Sequence, residues 1–371
     1  MAARDQIDVA AVRAALQEHD HPWVAQENAL TEMTAKSRVR RLGVPLPDAE
    51  HRASLEQRAA QIRAQAGRAM VGAAAALPPK FDLRDVSGQN YVSAVRDQGD
   101  CGSCVAFGSV ATMEGTARYS RRMAALDVDL SEAHLFYGHG GTVGVTCDTG
   151  WMPMPALTFC VNQGIMFEAE WSYTAGNSNG GSAPAGWEQH RARTTGTQDL
   201  TNDVAAIKEH LVDFGPVTGC FVVYTDFFSY HSGVYQQTWG KEEGGHCVAI
   251  VGYDDAQSAW IIKNSWNTGW GTDGFGLIKY GECYIDSWAN VAVNGVALRA
   301  WTAAKKVIGA YSTGADRNGW VYVQDNGWLK VGGSTCTAHV AMFTDLLTAK
   351  QKGGYVNAYA DEGSITQAYA Y

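Results

Sequence analysis

One cysteine lies where its thiol could act as a nucleophile. Cys104 follows a Gly-Ser pair and opens a run, residues 105–123, that has no proline and consists mostly of good helix formers. A thiol in the first turn of a helix faces unpaired N–H groups and the positive end of the helix dipole, which favour the thiolate. Cys104 is therefore a candidate for nucleophilic catalysis, although a single cysteine considered alone is more often a packing or disulfide residue.

Two residues further along the chain could complete a catalytic group with this cysteine. His246 and Asn264 lie in short apolar stretches, residues 244–253 and 260–266, that are typical of strands. A cysteine nucleophile needs a base, and the base needs a partner that fixes its tautomer. Cysteine, histidine and asparagine occur here in this order, with about 140 residues between the first two, as in papain-type enzymes.

Several longer motifs extend this similarity, and the sequence resembles the papain-like cysteine peptidases of the cathepsin type over roughly residues 77–290. The motifs are Leu77–Arg84, Val95–Gly99, Cys101–Cys104, Leu130–Glu132, Gly245–His246 and Lys263–Trp266. The resemblance implies an α+β, two-lobed fold with a helical left lobe and a β-barrel-like right lobe. It also implies that Gln98 and the N–H of Cys104 form the oxyanion hole, and that Trp266 shields the histidine–asparagine pair from water.

The same resemblance implies a set of substrate-binding residues. The stretch 147–152 is similar to the family's substrate loop, in which Gly150 would pair its backbone with the substrate. Trp151 and Met152 belong to this surface, and Met152 would line the pocket for the second residue before the scissile bond. Cys220 and Cys247 occupy positions that line the same pocket, and burial as packing cysteines is the alternative interpretation.

The eight cysteines imply little cross-linking. By resemblance Cys101 pairs with Cys147. The family's neighbouring disulfide would need a cysteine near residue 137 or 138, and none is present. Sparse pairing is compatible with a mostly reducing compartment. The remaining cysteines without an assigned partner are Cys160, Cys220, Cys247, Cys283 and Cys336.

One residue next to the nucleophile departs from the family pattern. Val105 occupies a position where the family almost always has tryptophan. The change removes a large buried side chain but no catalytic atom, so neighbouring groups must fill the space. It indicates a divergent branch rather than an inactive protein.

The chain is expected to consist of three parts, namely residues 1–76, 77–300 and 301–371. The first resembles the short pro-regions of cathepsin B-like enzymes and would be an autoinhibitory segment that lies in the cleft and is removed between about Ala69 and Leu77. We expect one helix over Val9–His19 and another that begins after Asp48 and runs to about Met70. An ordinary helical N-terminal domain is the alternative.

The last part of the chain lies beyond the papain resemblance. Apolar runs separated by Asn-Gly and Gly-Gly turns predict strands at residues 306–311, 319–323, 327–331 and 354–359, and hence a small antiparallel, all-β module. Trp320, Tyr322 and Trp328 could form an aromatic face for a carbohydrate or protein ligand. Aromatic residues at a period of two more often belong to a core.

Composition excludes some classes of partner. The net charge is −9 without a basic block, which argues against nucleic acid as a partner, and no apolar run approaches the ~20 residues of a membrane span. We expect no metal and no cofactor, because no paired zinc motif or phosphate-binding glycine loop is present. The first residues lack an apolar signal region, which predicts a cytoplasmic protein as the sequence stands, or an extracytoplasmic one if a leader has been removed.

Together these observations predict a cysteine endopeptidase that is made as a zymogen and acts on peptide or protein substrates. Two alternatives remain at this point. The first is a papain-fold acyltransferase that forms amides, and the second is a non-hydrolytic binding homologue that acts through the C-terminal module. Retention of all four catalytic candidates argues against the second, since a scaffold has no use for reactive groups.

Overall fold

The N-terminal part of the chain forms helices joined by short turns. The structure is a computed structural model that describes residues 6–65, 77–176 and 183–371. Its first elements are α1 Val9–His19, β1 Trp23–Ala25, α2 Ala29–Glu32, α3 Ala35–Val39 and α4 Ala49–Gln65. Aspartates cap the two longer helices, because Asp8 accepts the N–H of Ala11 at 3.0 Å and Asp48 accepts that of His51 at 2.8 Å.

Both long helices agree with the prediction from the sequence. The described part of α4 ends at Gln65. The predicted helix end near Met70 and most of the predicted cleavage region, from Ala69 onward, lie outside the described residues.

The left lobe is built around one buried helix. Its helices are α5 Cys104–Ser120, a π-helical segment His134–Gly140 and α6 Pro153–Asn162. Helix α5 is buried along almost its whole length, as its predominantly apolar and small residues allow. Val105 is fully buried in a cluster that includes Val110, Leu135 and Phe136, so neighbouring side chains fill the space that a tryptophan takes elsewhere in the family.

The right lobe is a largely antiparallel sheet. Its strands are β2 Lys80–Asp82, β4 Thr197–Asp199, β5 Val217–Tyr224, β6 Tyr230–Tyr235, β7 Glu242–Asp254, β8 Ala259–Lys263, β9 Phe275–Lys279 and β10 Ala289–Val293. The strand order is β1-β6-β9-β8-β7-β5-β10-β4, with β2 paired to β7. Strand β1 of the N-terminal part thus joins this sheet at its edge. Helix α7 Val204–Asp213 packs against β5 and β7.

The C-terminal part forms a second sheet that closes on itself. Its strands are β3 Arg191–Thr194, β11 Val296–Trp301, β12 Lys305–Ser312, β13 Gly319–Val323, β14 Gly327–Val331, β15 Tyr355–Asp361 and β16 Ser364–Ala370, with helix α8 Cys336–Lys352 between β14 and β15. The order is β12-β13-β14-β16-β15, and β15 also pairs with β12 and with β11. The four predicted strands are present.

Two details of this module correct the prediction. It is not all-β, because α8 begins where Thr335 caps the N–H of Ala338 at 3.1 Å and ends at Gly353, which has a left-handed backbone. It is also not wholly antiparallel, because β14 and β16 pair in parallel. The helix buries His339, Leu346 and Ala349. The two-lobed α+β architecture itself is confirmed. No helix among the described residues has the length and hydropathy that a membrane span requires.

Candidate active site

The structure places Cys104 at the first residue of α5, as the sequence predicted. The residue is fully buried, and its thiol is not part of a disulfide. N–H groups in the first turn of a helix lack intrahelical acceptors. The helix therefore presents both the sulfur and its donors at the junction of the two lobes, facing β7.

The hydrogen bonds of His246 assign its tautomer. Its Nε2 atom lies 2.8 Å from Asn264 Oδ1, which also accepts the N–H of Ser265 at 2.8 Å. Because this oxygen accepts the amide of Ser265, it is the acceptor for the ring as well, and Nε2 carries the proton. The buried Nδ1 atom has no hydrogen bond of normal geometry among the described residues. The nearby Arg41 carbonyl favours protonation of the ring. A neutral ring with its proton on Nε2 would leave Nδ1 as the basic nitrogen that a general base requires.

Trp266 covers this pair of side chains. Its ring centroid lies 4.5 Å from that of His246 at an angle of 31°, and Phe221 lies edge-on to the same imidazole at 5.7 Å. Asn264 is 2% exposed and His246 is fully buried. The aromatic wall keeps water away from the hydrogen bond, which strengthens it by lowering the local dielectric constant.

Gln98 is oriented by the residue that follows the asparagine. Ser265 Oγ donates to Gln98 Oε1 at 2.7 Å, so the amide nitrogen must point the other way. Gln98 Nε2 donates to the carbonyl oxygens of Arg41 at 2.9 Å and Cys101 at 2.8 Å. A carbonyl oxygen of the N-terminal part thus lies at the donor that the resemblance assigns to the oxyanion hole.

Residues 41–44, here called the cleft segment, continue along the groove between the lobes. The N–H of Trp151 donates to the carbonyl of Gly43 at 2.8 Å, and the N–H of Val44 donates to the carbonyl of Gly245 at 3.0 Å. The fit is so close that a Cβ atom on Gly43 would lie 2.0 Å from the carbonyl oxygen of Gly102. The segment therefore pairs its backbone with both walls of the cleft.

Ion pairs and a strand anchor the cleft segment at both ends. Arg41, itself 5% exposed, contacts Asp97 at 2.8 Å and Asp100 at 3.2 Å. After the segment, Arg52 Nη2 donates to Glu242 Oε1 at 2.7 Å. Before it, β1 pairs with β6 in the right lobe. Arg41 is largely shielded from solvent, so its pairs are screened less than surface ion pairs.

Burial disfavours the charged forms of Cys104 and His246 in this arrangement. It raises the pKa of Cys104 to about 12, an effect that the neighbouring Cys220 increases and the N–H of Gly43 opposes. Burial lowers the pKa of His246 to about 4, against the opposing effect of its hydrogen bond to Asn264 and of the nearby Arg41 carbonyl. The thiolate expected from the helix N-terminus is therefore not favoured while the cleft segment is in place, because desolvation outweighs the dipole.

The predicted pocket residues lie in one buried cluster with the nucleophile. Cys220 and Cys247 face each other across β5 and β7 and are almost fully buried. The cluster also contains Val44 of the cleft segment, Trp151 and Trp288, and Met152 packs against it. Gly150 lies against the cleft segment, where an added Cβ would meet the Gly43 oxygen at 2.1 Å. The hydrogen bond to this oxygen comes from Trp151, the next residue.

The disulfide between Cys101 and Cys147 is confirmed. It ties the loop before α5 to the substrate loop. By resemblance, the family's neighbouring disulfide would use a cysteine near residue 137. This chain has Tyr137 there, which makes hydrogen bonds instead. Its hydroxyl donates to the carbonyl of Thr174 and accepts the N–H of Gly176, both at 3.0 Å. Polar contacts thus connect two loops in the region where the sequence lacks the cysteine of the family's neighbouring disulfide.

Tyr173 connects the oxyanion-hole residue to the residue before the nucleophile. Its hydroxyl donates to the carbonyl of Gln98 at 2.8 Å and lies 2.7 Å from Ser103 Oγ. Since the single phenolic proton goes to the carbonyl, Ser103 donates to Tyr173. The ring packs edge-on against Phe107 at 4.8 Å. The contacts of Tyr173 therefore fix the position of Gln98 relative to the start of α5.

Comparison with known proteins agrees with this geometry. Residues 77–293, more than half of the chain, match the family described as "Papain family cysteine protease". The chain belongs to the papain family of cysteine proteases. It is 37% identical over 235 residues to "Cathepsin B-like CP3" of Giardia intestinalis, covering 60% of this chain and 77% of that protein. It is 35% identical over 224 residues to "Cathepsin B-like CP2" of the same organism, covering 57% and 73%.

Two solved structures have the same fold as this papain-family chain. "proCathepsin B S9 from Trypanosoma congolense" has a TM-score of 0.60 and 23% identity, with 77% of this chain and 98% of that chain covered. Procathepsin L 3 of Tenebrio molitor has a TM-score of 0.58 and 24% identity, with 77% and 87% covered. The protein is thus a papain-like, cathepsin B-like cysteine peptidase by family. Both structural neighbours are proforms by name.

Sequence reasoning missed several residues of the site. Ser265 and Tyr173 act on Gln98 through contacts across 75 positions or more, which no local pattern reveals. The contacts of Arg41 and Gly43 were also missed, although the resemblance places both residues in the pro-region, residues 1–76. Among the described residues, no cluster of three or more His, Cys, Asp or Glu side chains is arranged for a metal ion.

Proposed function

We propose that this protein is a cysteine endopeptidase made as a zymogen, in which residues 1–76 form the autoinhibitory part, 77–300 the peptidase domain and 301–371 an added module. Cys104 is the nucleophile, His246 the base, Asn264 its positioning residue and Gln98 the oxyanion-hole donor. Peptides or proteins are the substrates.

One observation carries the proposal. The carbonyl of Arg41 accepts a hydrogen bond from Gln98 Nε2 at 2.9 Å, beside the buried Cys104 thiol and the buried His246 imidazole. A carbonyl at this position is what a peptidase must bind during acyl transfer. Here the chain's own backbone supplies it, so the same contacts that would hold a substrate exclude one.

The chemistry follows once the cleft segment leaves and water enters the groove. Hydration lowers the cost of charge, so the Cys104 proton moves to Nδ1 of His246 and the two groups form an ion pair. The sulfur attacks the peptide carbonyl, and Gln98 Nε2 and the Cys104 N–H stabilise the oxyanion. The imidazolium then protonates the departing amine, and the base activates a water that hydrolyses the thioester.

The contacts of Val44 also indicate which substrate side chains the pocket prefers. Val44 is 5% exposed, and a Cβ on Gly245 would lie 3.0 Å from its Cβ and 2.6 Å from the Trp288 ring. The pocket bounded by Trp288 and the two buried cysteines is thus occupied by a small branched side chain. We expect substrates with valine or a similar aliphatic residue to be cleaved faster than those with arginine at this position.

The decisive experiment compares the intact chain with the chain cleaved after residue 76. Both are incubated with a fluorogenic peptide and with an epoxide probe of cysteine peptidases, and Cys104→Ser is the control without a nucleophile. We expect labelling at Cys104 and peptide cleavage only after residues 1–76 have been removed and separated. Equal activity before and after removal contradicts the zymogen, and absence of both labelling and cleavage contradicts the peptidase.

The same experiment separates hydrolysis from amide formation. Products are analysed by mass spectrometry with an added amine such as glycine amide. If the acyl group appears mainly on the amine at low amine concentration, the transferase alternative is correct and the endopeptidase proposal is wrong.

A further inference from the structure

The C-terminal module has a strand arrangement that is independent of the peptidase fold. Five strands close in the order β12-β13-β14-β16-β15-β12, with β14 and β16 parallel and α8 inserted between β14 and β15. This is the topology of the five-stranded Greek-key barrel known as the OB-fold, in which the second and third strands form the ligand surface. Fold alone does not establish function, so the argument rests on what these two strands carry.

The second and third strands of this barrel, β13 and β14, present aromatic side chains outward. Their alternating burial places Val321 and Leu329 inside the barrel and places Tyr322 and Trp328 outside. Tyr322 and Trp328 are direct cross-strand partners with perpendicular rings 5.6 Å apart. Gly309 on the neighbouring strand leaves room for the indole, since a Cβ there would lie 3.1 Å from the Trp328 ring.

These two rings line a cavity of about 630 Å³ between the barrel and the left lobe. Trp301 contributes a third ring, and Met123 and Leu126 of the left lobe form part of the opposite wall. The volume lies within the range of about 300–1,000 Å³ that is common for ligand sites, which often lie between domains. None of the described residues assigned above to the active site or its substrate pocket lines it.

The polar groups of the cavity favour a neutral ligand rich in hydroxyl groups. The lining holds two permanently cationic side chains: Arg121 donates to the carbonyl of Ala117 at 3.0 Å, and Lys305 pairs with Asp325 at 3.0 Å. Three carboxylates also line it, those of Asp127, Asp129 and Glu170. Asp129 is paired with Arg96 at 2.6 Å and Glu170 with His190 at 3.2 Å, whereas Asp127 takes part in none of the ion pairs between described residues.

A phosphate backbone would therefore meet more carboxylates than arginine and lysine side chains, which disfavours oligonucleotides. Hydroxyl donors match carboxylate acceptors. Aromatic faces provide flat apolar surfaces with a large contact area, and a pyranose ring has a matching apolar face.

We propose that this cavity binds a neutral oligosaccharide, with sugar rings packed on Trp328 and Tyr322 and hydroxyl groups donated to Asp127 and Glu170. The peptidase would thereby be held on glycosylated proteins or on a polysaccharide surface. Such attachment raises the effective concentration of nearby peptide bonds without any new contact at the cleft.

The test uses the full-length Cys104→Ser protein, so that binding is measured without proteolysis. Isothermal titration with cellohexaose, chitohexaose and mannohexaose measures Kd at 0.15 M salt. We expect one of the three to bind, Trp328→Ala to weaken that binding at least tenfold, and Tyr322→Ala to weaken it as well. The matched control is Tyr311→Ala, which removes another exposed aromatic side chain of the barrel that does not line the cavity and should leave Kd unchanged.

Trp328 is half exposed, so its replacement should leave the fold intact, and a thermal unfolding curve of each variant checks this. Trp328→Phe, which retains a flat ring, should recover part of the affinity. The proposal is overturned if none of the three saccharides binds, if Trp328→Ala binds as tightly as the parent protein, or if single-stranded oligothymidine binds more tightly than every saccharide.

Discussion

Replacing Gly43 by alanine should open the cleft without cutting the chain. The new methyl group would lie 2.0 Å from the carbonyl oxygen of Gly102 and 2.3 Å from its carbonyl carbon. Both are backbone atoms, and their loop is held by the adjoining Cys101 disulfide and by the Gly102 N–H, which donates to Cys147 O at 3.0 Å. Since the Gly102 backbone cannot move away, the cleft segment must shift out of the groove.

The size of the effect follows from the thiol of Cys104. Burial moves its pKa from 9.0 to about 12, and each unit of pKa changes the thiolate fraction tenfold near neutral pH. Full hydration of the site should therefore raise the rate of alkylation by up to about a thousandfold, because the thiolate is the reactive species. Pairing with His246 would raise it further.

The assay follows carbamidomethylation of the Cys104 peptide by mass spectrometry after iodoacetamide is added at pH 7. Reading this peptide alone removes the contribution of the exposed Cys336. Gly141→Ala is the matched control, because a Cβ there meets no atom within 4 Å. If Gly43→Ala protein reacts at the wild-type rate while its thermal unfolding is unchanged, the cleft segment does not control access and the reasoning is wrong.

Three further changes test other contacts of the site. Gln98→Ala in the processed enzyme should lower kcat/KM about 10²- to 10³-fold, as loss of an oxyanion-hole donor does, and an unchanged value would remove Gln98 from that role. Tyr173→Phe should lower kcat about tenfold and leave KM unchanged. The rate of alkylation by iodoacetamide should also be unchanged, because alkylation forms no oxyanion. Tyr137→Phe is the control, and equal losses of kcat in both variants would indicate a general structural effect. Burial lowers the pKa of His134 to about 3. Between about pH 3 and 6.5 the unfolded chain therefore binds more protons than the folded chain. The neutral, buried His134 thus contributes at most about 5 kcal/mol to the free energy of unfolding near neutral pH, and this contribution is lost as pH falls. In urea unfolding from pH 7 to 4, His134→Asn, which retains an acceptor for the Met166 N–H, should lose less stability than wild type; a parallel decrease in both proteins would contradict the assignment.

Candidate catalytic residues could be named because the reaction requires their types, and the resemblance to the papain family supplies their order. A thiol that acts as a nucleophile needs a helix N-terminus, a base and an amide that orients the base. The motifs around Cys104, His246 and Asn264 are specific enough to single out these three residues as candidates. The strand assignments of the barrel followed from period-two alternation and from glycine-bounded turns. The disulfide of Cys101 followed from the family resemblance alone.

The remaining features depend on contacts between distant parts of the chain. The position of the Arg41 carbonyl is set by β1 on β6 and by ion pairs to Asp97 and Asp100, which no local pattern encodes. Helix α8 was not predicted because the alternating apolar runs on both sides of it indicate strands, although Thr335 and Gly353 are suitable cap residues at its two ends. Closure of the barrel required the register of β15 with β12, which sequence spacing cannot supply.

Strand β11 belongs to two parts of the molecule at once. It pairs with β3, from the peptidase region, on one side and with β15 of the barrel on the other, and only three residues separate it from β12. The barrel is thus hydrogen-bonded to the peptidase domain as a continuation of a shared sheet, unlike a module carried on a flexible tether. A ligand bound to the barrel as proposed would be held in a fixed orientation relative to the cleft, so the distance between the two sites would determine which peptide bonds of an attached substrate can be cut.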